Sequence, residues 1–303
     1  MRHLYTFTLI AAVAEAGSMR RAAEDANITA SALNRRIRRF EAEFGCEIFE
    51  RLPGGVRLNP AGEMILHHFR TIRSDLQRVQ GQVADLSGER RGHVRVACSQ
   101  ALLPYFLPQQ IARYRADHPG VSFAVNVRDR AQAEAELQSF SSDLVLVFEP
   151  VSLVDFEILH AAPQRVMAVM RADHPLAAQP EIRLRDVLAQ TYVLPTARYG
   201  VRHILDRAAR RLQHSLAPAV ETESFELIRH YVVHERAIGF QIPIGLRVPA
   251  VPDAPDALVA RPLAERDVPR GAVFLGQMRG RTLPVASARF ALQIAAALAG
   301  LPD

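Results

Sequence analysis

Seven apolar residues, Ile65, Phe69, Ile72, Leu76, Val79, Val83 and Leu86, follow the pair Asn59 and Pro60 at steps that alternate four and three without a break. Such spacing is the a/d seam of a coiled coil, and a capping asparagine before proline starts the helix that carries it. A helix over 60–86 is about 40 Å long. A rod of that length divides the 303-residue chain into a small N-terminal part and a large C-terminal one. The narrow seam predicts pairing with a second copy; packing of one amphipathic helix on its own domain is the other way to cover it.

All 37 basic residues are arginine. Without a lysine amine the chain can run neither Schiff-base nor pyridoxal-phosphate chemistry, and it cannot build a Walker-type phosphate loop. Two cysteines, Cys46 and Cys98, are too few for a cysteine-rich zinc site, and no secretory signal precedes them. A reduced cytoplasmic setting and no metal are the expectation. Charged residues interrupt every hydrophobic run short of the roughly 20 residues that span a bilayer, so no membrane partner is expected. The formal net charge of +5 is modest but unevenly placed: Arg20, Arg21, Arg35, Arg36, Arg38 and Arg39 face only Glu24 and Asp25 over that stretch. Such a stripe suits phosphates, although taken alone it also fits a solvated helix face.

The residues around the stripe decide between the two. Leu4, Phe7, Ile10, Ala11 and Ala14 fall at helical spacing, and Gly17 stands where a helix ends. Ser18 can cap a short second helix with Ala22, Ala23 and Ala26, small enough to let another helix approach, and Asn27 suits the turn after it. Thr29 can cap a third helix with a buried stripe of Ala32 or Leu33, Ile37, Phe40 and Phe44, ending at Gly45. Its other face carries Ala30, Ser31, Asn34, Arg35 and Arg38. Those are short residues that let a backbone approach base edges, an amide that can pair with adenine, and guanidinium groups for guanine or phosphate. Residues 47–58 then read as two short strands about Gly54 and Gly55. In this wing Arg51 and Arg57 can reach the DNA backbone or minor groove, though either alone could be a solvated arginine. The candidate DNA contacts are therefore Arg20, Arg21, Thr29, Ala30, Ser31, Asn34, Arg35, Arg38, Arg51 and Arg57.

Leu4, Phe7, Val13, Glu15 to Ser18, Arg21 to Ala23, Ile28, Thr29, Leu33, Arg35, Ile37, Glu41, Gly45, Ile48 to Arg51, Leu58 and Pro60 to Gly62 stand in a characteristic order. In that order and spacing, over roughly 60 residues, the chain resembles the LysR-type transcriptional regulators. His174 to Ala177 and Gly239 to Pro243 also look like segments these regulators carry further on. Asn34, Phe40 and Asn59 stand where the family usually has Ser, Leu and Thr, and Glu235, Arg236 and Ala237 replace a glycine-rich turn. The resemblance implies a winged helix-turn-helix reading double-stranded promoter DNA, a tetramer built from two dimers, effector-dependent bending or repositioning on the promoter, and RNA polymerase as a further partner.

Read without the family, residues 93–303 alternate strands and helices. Strands over 94–97, 121–127 and 143–148 enclose helices over 102–114 and 131–140. A second set follows, with strands over 166–170, 192–194, 219–223 and 238–242 and helices over 201–212 and 226–234; a strand near 272–275 and a helix over 285–298 return to the first. This alternation predicts parallel sheets in two α/β lobes, which resemble periplasmic solute-binding domains. The fold class is a multidomain α+β and α/β chain. Its expected parts are a DNA-binding domain over 1–59, a linker and dimerisation helix over 60–88 with a hinge over 87–92, and an effector domain over 89–303. Within the last, one lobe is expected over about 92–163 and 268–303, the other over about 164–267. Ligands of such sheets bind where strands end and helices begin. Ser99, Gln100, Arg128, Phe148, Thr196, Arg198, Arg202 and Ser224 hold those places, and the arginines lean toward a small carboxylate effector. Caps and surface charges account equally well for any one of them, and no cofactor is expected.

Enzymatic readings find little support. His230 and His234 have metal-pair spacing with Glu235 adjacent, but no third ligand is evident; His67 and His68 point to different faces of one helix. Cys98 and Ser99 open a helix without a nucleophile elbow or a positioned base, and no glycine-rich dinucleotide fingerprint occurs. A small-molecule-binding α/β protein or enzyme without DNA binding is the remaining alternative, and the first 60 residues speak against it.

Overall fold

The computed structural model describes residues 3–86, 92–246 and 257–301. The chain separates into two compact units, 1–77 and 78–303, each described below by itself.

The first unit holds α1 (Leu4–Ala16), α2 (Met19–Asp25), α3 (Ala30–Phe44), β1 (Phe49–Leu52), β2 (Gly55–Leu58) and the start of α4 (Pro60–Leu86). Local capping sets each boundary. Gly17 closes α1 at φ 62°, and Gly45 closes α3 at φ 86°, backbone angles that cost a residue with a Cβ but not glycine. The Ser18 hydroxyl accepts from Arg21 N–H, and the Thr29 hydroxyl from Ala32 N–H. Asn59 caps α4 by accepting from Gly62 N–H at 2.8 Å, while its amide donates to the Glu47 carbonyl at 2.8 Å and so ties the helix to the segment before β1. The wing docks on the end of α1: Val56 N–H donates to the Gly17 carbonyl at 2.9 Å, and a Cβ on Gly55 would lie 2.3 Å from that oxygen.

Leu9, Ile10, Val13, Ala22, Ala23, Leu33, Ile37, Phe40, Ile48 and Phe49 form this unit's core. Two expectations need correction. In α1 the buried stripe is Leu9, Ile10 and Val13, while Leu4, Phe7, Ala11 and Ala14 are only half-buried. Phe44 is exposed at the last turn of α3, with only one face of its ring stacked on Phe40. Along α4, Phe69 is buried and stacks on Phe7 with centroids 4.4 Å apart. From there the seam is bare: Ile72, Leu76, Val79 and Val83 are 42–57% exposed.

The second unit begins at β3 (Gly92–Cys98), so of the expected hinge only Gly92 lies within the described residues, and it is part of a strand. The first lobe continues with α5 (Phe106–Asp117), β4 (Val121–Val127), α6 (Arg130–Gln138), β5 (Leu144–Phe148) and β6 (Phe156–Gln164). The second lobe follows with β7 (Met167–Arg171), α7 (Leu184–Leu188), β8 (Val193–Pro195), α8 (Gly200–Arg211), β9 (Val220–Thr222), α9 (Phe225–Glu235), β10 (Gly239–Gln241) and β11 (Leu258–Pro262). Then β12 (Gly271–Met278) and α10 (Val285–Ala299) return to the first lobe.

The sheets are mixed rather than parallel. In the order β4-β3-β5-β12-β6, the first three strands are parallel and β12 runs antiparallel to both neighbours. The second lobe has an antiparallel β10-β7-β11 sheet beside a parallel β8-β9 pair. A 3-10 turn over Gln100–Leu102 precedes α5, which starts four residues later than expected, after Tyr105 at φ -133° breaks the helical run. At the glycine-poor turn after α9, Arg236 itself takes the left-handed conformation, φ 52°, and its guanidinium meets Asp173 at 3.1 Å.

A buried ionic cluster fastens the first lobe. Asp143 receives Arg95 at 2.7 Å, Arg281 at 2.6 Å and the Ser287 hydroxyl at 3.1 Å, and both Asp143 and Arg281 side chains are 1% exposed. Burial pushes the Asp143 carboxyl up, but the hydrogen bonds and charge of Arg95, with the charge of Arg281, outweigh it and hold the group below its ordinary range.

Candidate nucleic-acid interface and effector cleft

In the first unit a concave face is lined by Ser18, Arg20, Ala30, Ser31, Asn34, Arg38 and Arg51, which brings the start of α2, the reading side of α3 and the wing together. Ser18 is the member that sequence reasoning missed as a lining residue, having seen in it only a helix cap. The Thr29 hydroxyl is spent on its cap and on Ser31 Oγ at 3.1 Å. The arginines divide into two groups. Arg20 pairs with Glu24 at 3.1 Å, Arg39 with Glu43 at 2.8 Å, Arg57 across the wing with Glu50, and Arg36 lies 4.8 Å over the Tyr5 ring. Arg21, Arg35, Arg38 and Arg51 are exposed and form no ion pair among the described residues. Of these four, Arg38 and Arg51 line the concave face, and Arg21 and Arg35 lie outside that lining.

In the second unit the candidate cleft residues meet different fates. Phe148 is a core residue, corrected here from a ligand wall: its carbonyl would lie 2.3 Å from a Cβ on Gly200, and its ring would lie 2.4 Å from one on Gly271. Arg128 is tied to Glu136 and donates to its neighbour's carbonyl at Val127. Burial works to raise the Glu136 carboxyl, but hydrogen bonds from Ser142, Arg128 and Asn126 prevail and keep it below its ordinary range. Arg202 is held by Asp206 at 2.8 Å and Glu221 at 2.6 Å, an i,i+4 pair and a partner on β9. Neither arginine is therefore available to a ligand without losing an acid partner. Ser224 caps α9 by accepting from Leu227 N–H.

Three other residues are better placed. Thr196 Oγ1 is buried and has no hydrogen-bond partner. The Ser99 hydroxyl does not cap the turn it precedes, and α8 starts without a side-chain cap. Arg198 is exposed, with Glu223 at 3.4 Å and Asp129 of the other lobe at 4.0 Å. Gln100 crosses between the lobes: its amide donates to the Glu223 carbonyl at 2.9 Å, and its oxygen accepts from Phe225 N–H at 3.0 Å. Sequence reasoning missed Asp129 and Glu223, because Arg198 and Gln100 reach them from distant parts of the chain.

The rival sites do not assemble. His230 pairs with Glu226 at 2.9 Å, and no group of three or more potential metal ligands occurs among the described residues. Burial pushes the Cys98 thiol up to about 12, which marks an inert core residue. No helix among the described residues is long and apolar enough to cross a membrane.

Two family models match. Residues 2–63 match the bacterial regulatory helix-turn-helix protein, lysR family, and residues 87–299 match the LysR substrate binding domain. The RuBisCO operon transcriptional regulator of Allochromatium vinosum is 31% identical over 196 residues, 65% of this chain; the match spans 65% of that relative's length. The fold is similar to that of full-length CbnR complexed with its target DNA, with a TM-score of 0.56 at 16% identity over 97% of this chain and 99% of that one. It is also similar to the effector-binding domain of QuiR in complex with shikimate, with a TM-score of 0.58 at 15% identity over 68% of this chain and 97% of that one. With both models matched and the larger covering most of the chain, the protein belongs to the LysR family of bacterial helix-turn-helix transcriptional regulators.

Proposed function

We propose that the chain reads promoter DNA with the concave face of its first unit and adjusts that reading to a small anionic effector held between the lobes of its second. The observation that carries the DNA half is the two unpaired arginines, Arg38 and Arg51, that share a concave face with Asn34 and Ser31, with Arg21 and Arg35 exposed and unpaired outside that lining. Ala30 in the same face gives a backbone room to approach, Thr29 caps the helix that carries it, and Arg20 and Arg57 can add phosphate contacts by giving up Glu24 and Glu50. The bare seam from Ile72 to Val83 supports dimerisation through 60–86, which would present two reading helices to two half-sites. A tetramer, contact with RNA polymerase, a cytoplasmic location, and action as a regulator without catalysis or cofactor complete the reading. Selection of operators from random duplexes tests it. A two-half-site consensus is expected, and enrichment of no sequence overturns it.

Support for the effector half comes from Thr196 Oγ1, a buried hydroxyl without a partner, together with Ser99 and the uncapped start of α8. Hydroxyl and helix N-terminal donors suit an anion, and Arg198 can exchange its exposed partner Glu223 for one. A ligand bound there would be a small carboxylate, the chemical class of the shikimate seen in QuiR. Thermal-shift screening of small carboxylates, shikimate first, should find a stabilising ligand. Its affinity should fall about tenfold or more in Thr196→Val and Ser99→Ala. Undiminished affinity in both variants overturns this placement.

A further inference from the structure

One side chain of the first lobe makes contacts that a ligand between the lobes would have to contest. Gln100 opens the 3-10 turn after β3, and its carboxamide lies against the start of α9 in the second lobe. Ser224 caps α9 at Leu227 N–H, two positions beyond Phe225; the Phe225 N–H is met instead by Gln100 Oε1, from the opposite lobe. Gln100 Nε2 meets the Glu223 carbonyl and lies 3.4 Å from the Tyr199 hydroxyl. The next residue presses on the second lobe as well: a Cβ on Gly245 would lie 2.7 Å from the Ala101 carbonyl. Arg198 adds a looser link to Asp129.

We propose that Gln100 is an interlobe clasp: its carboxamide occupies the paired N–H of Phe225 and C=O of Glu223 and holds the two lobes together at the mouth of the cleft. An amide fits this role better than a charged side chain. It offers an acceptor to the N–H and a donor to the C=O at once, whereas a carboxylate would leave the carbonyl unmatched beside the Glu223 and Asp129 charges. The clasp is positional: Gln100 is argued to set the spacing of the lobes, and only its relation to an effector rests on the cleft reading above.

The test is hydrogen exchange by mass spectrometry on the ligand-free, full-length chain, comparing wild type with Gln100→Ala and Gln100→Glu. Gln100 is half-buried and outside the core, and circular dichroism melting verifies that each variant is folded. In Gln100→Ala, exchange should rise about fivefold or more both in residues 222–228 and in residues 98–103, since each segment loses its support from the other lobe. Gln100→Glu keeps the acceptor for Phe225 and loses the donor for Glu223, so it should fall between the two. If neither segment changes by more than about twofold, or if only 222–228 responds, Gln100 is at most a local cap and the clasp is overturned. No ligand enters the measurement, so its failure is separate from a failure of the effector reading, which the titrations decide.

Discussion

Arg35 and Arg38 on the third helix of the first unit stand exposed with no acid partner, while Arg128 and Arg202 in the second are each engaged by carboxylates of their own lobe. The residue type is the same, though Arg35 and Arg38 lie in the middle of α3 and Arg128 and Arg202 beside the starts of α6 and α8. What separates them is where the acids fall: Glu24, Glu43 and Glu50 take Arg20, Arg39 and Arg57 and leave Arg35 and Arg38 unpaired, whereas Glu136, Asp206 and Glu221 sit on Arg128 and Arg202 themselves. An arginine is a recognition group only when the fold leaves its fork unmatched; a matched one is part of the scaffold.

The buried end of this contrast should give the largest effect. Asp143→Ala strands Arg281 without its carboxylate, and about 3–5 kcal/mol of unfolding free energy should disappear in denaturant titration. A loss below about 1 kcal/mol would mean that the cluster is not the fastening it looks like. Its pH dependence has a definite sign. The folded Asp143 carboxyl lies below its unfolded value, so its contribution is complete above about pH 5 and is lost as the pH falls through about 4 and below.

Next in size, Asn34→Ala should remove about 1–3 kcal/mol of discrimination at one operator position while leaving binding to unrelated duplexes nearly unchanged, read by competition on a selected site. Uniform weakening on all sequences would make Asn34 a backbone contact instead. Arg38→Ala should act in the opposite manner, lowering affinity for every duplex and flattening the slope of log affinity against log salt by about 0.9. A slope equal to that of wild type would place Arg38 outside the phosphate contacts. The smallest effect is expected at Arg128→Ala: stability falls by about 1 kcal/mol or less, and the affinity of any carboxylate found by thermal shift does not change. A tenfold loss of that affinity would erase the contrast between the two regions.

The first unit was almost wholly legible in sequence because its boundaries are set by local chemistry. The capping contacts of Gly17, Ser18, Thr29, Gly45 and Asn59 reach residues within four positions of themselves, so spacing alone reveals them. The second unit's strands were less legible. β6 runs into Pro163 and alternates irregularly between buried and exposed residues at the sheet edge, and β11 is partly buried throughout; neither has a clear period. Partnerships were the least legible of all. Arg281 finds Asp143 across 138 positions, and Gln100 finds Phe225 across 125, distances at which no pattern of spacing carries information. The same holds for Phe148, which ends a strand where ligands commonly sit and is nonetheless sealed by Gly200 and Gly271.

The bare stripe on α4 from Ile72 to Val83 has a consequence for control as well as for assembly. If two chains must meet before either half-site is read, promoter occupancy at low abundance grows with the square of the amount of protein made. Doubling expression then quadruples the signal, so the cell can set a threshold for the response through copy number before any effector is present.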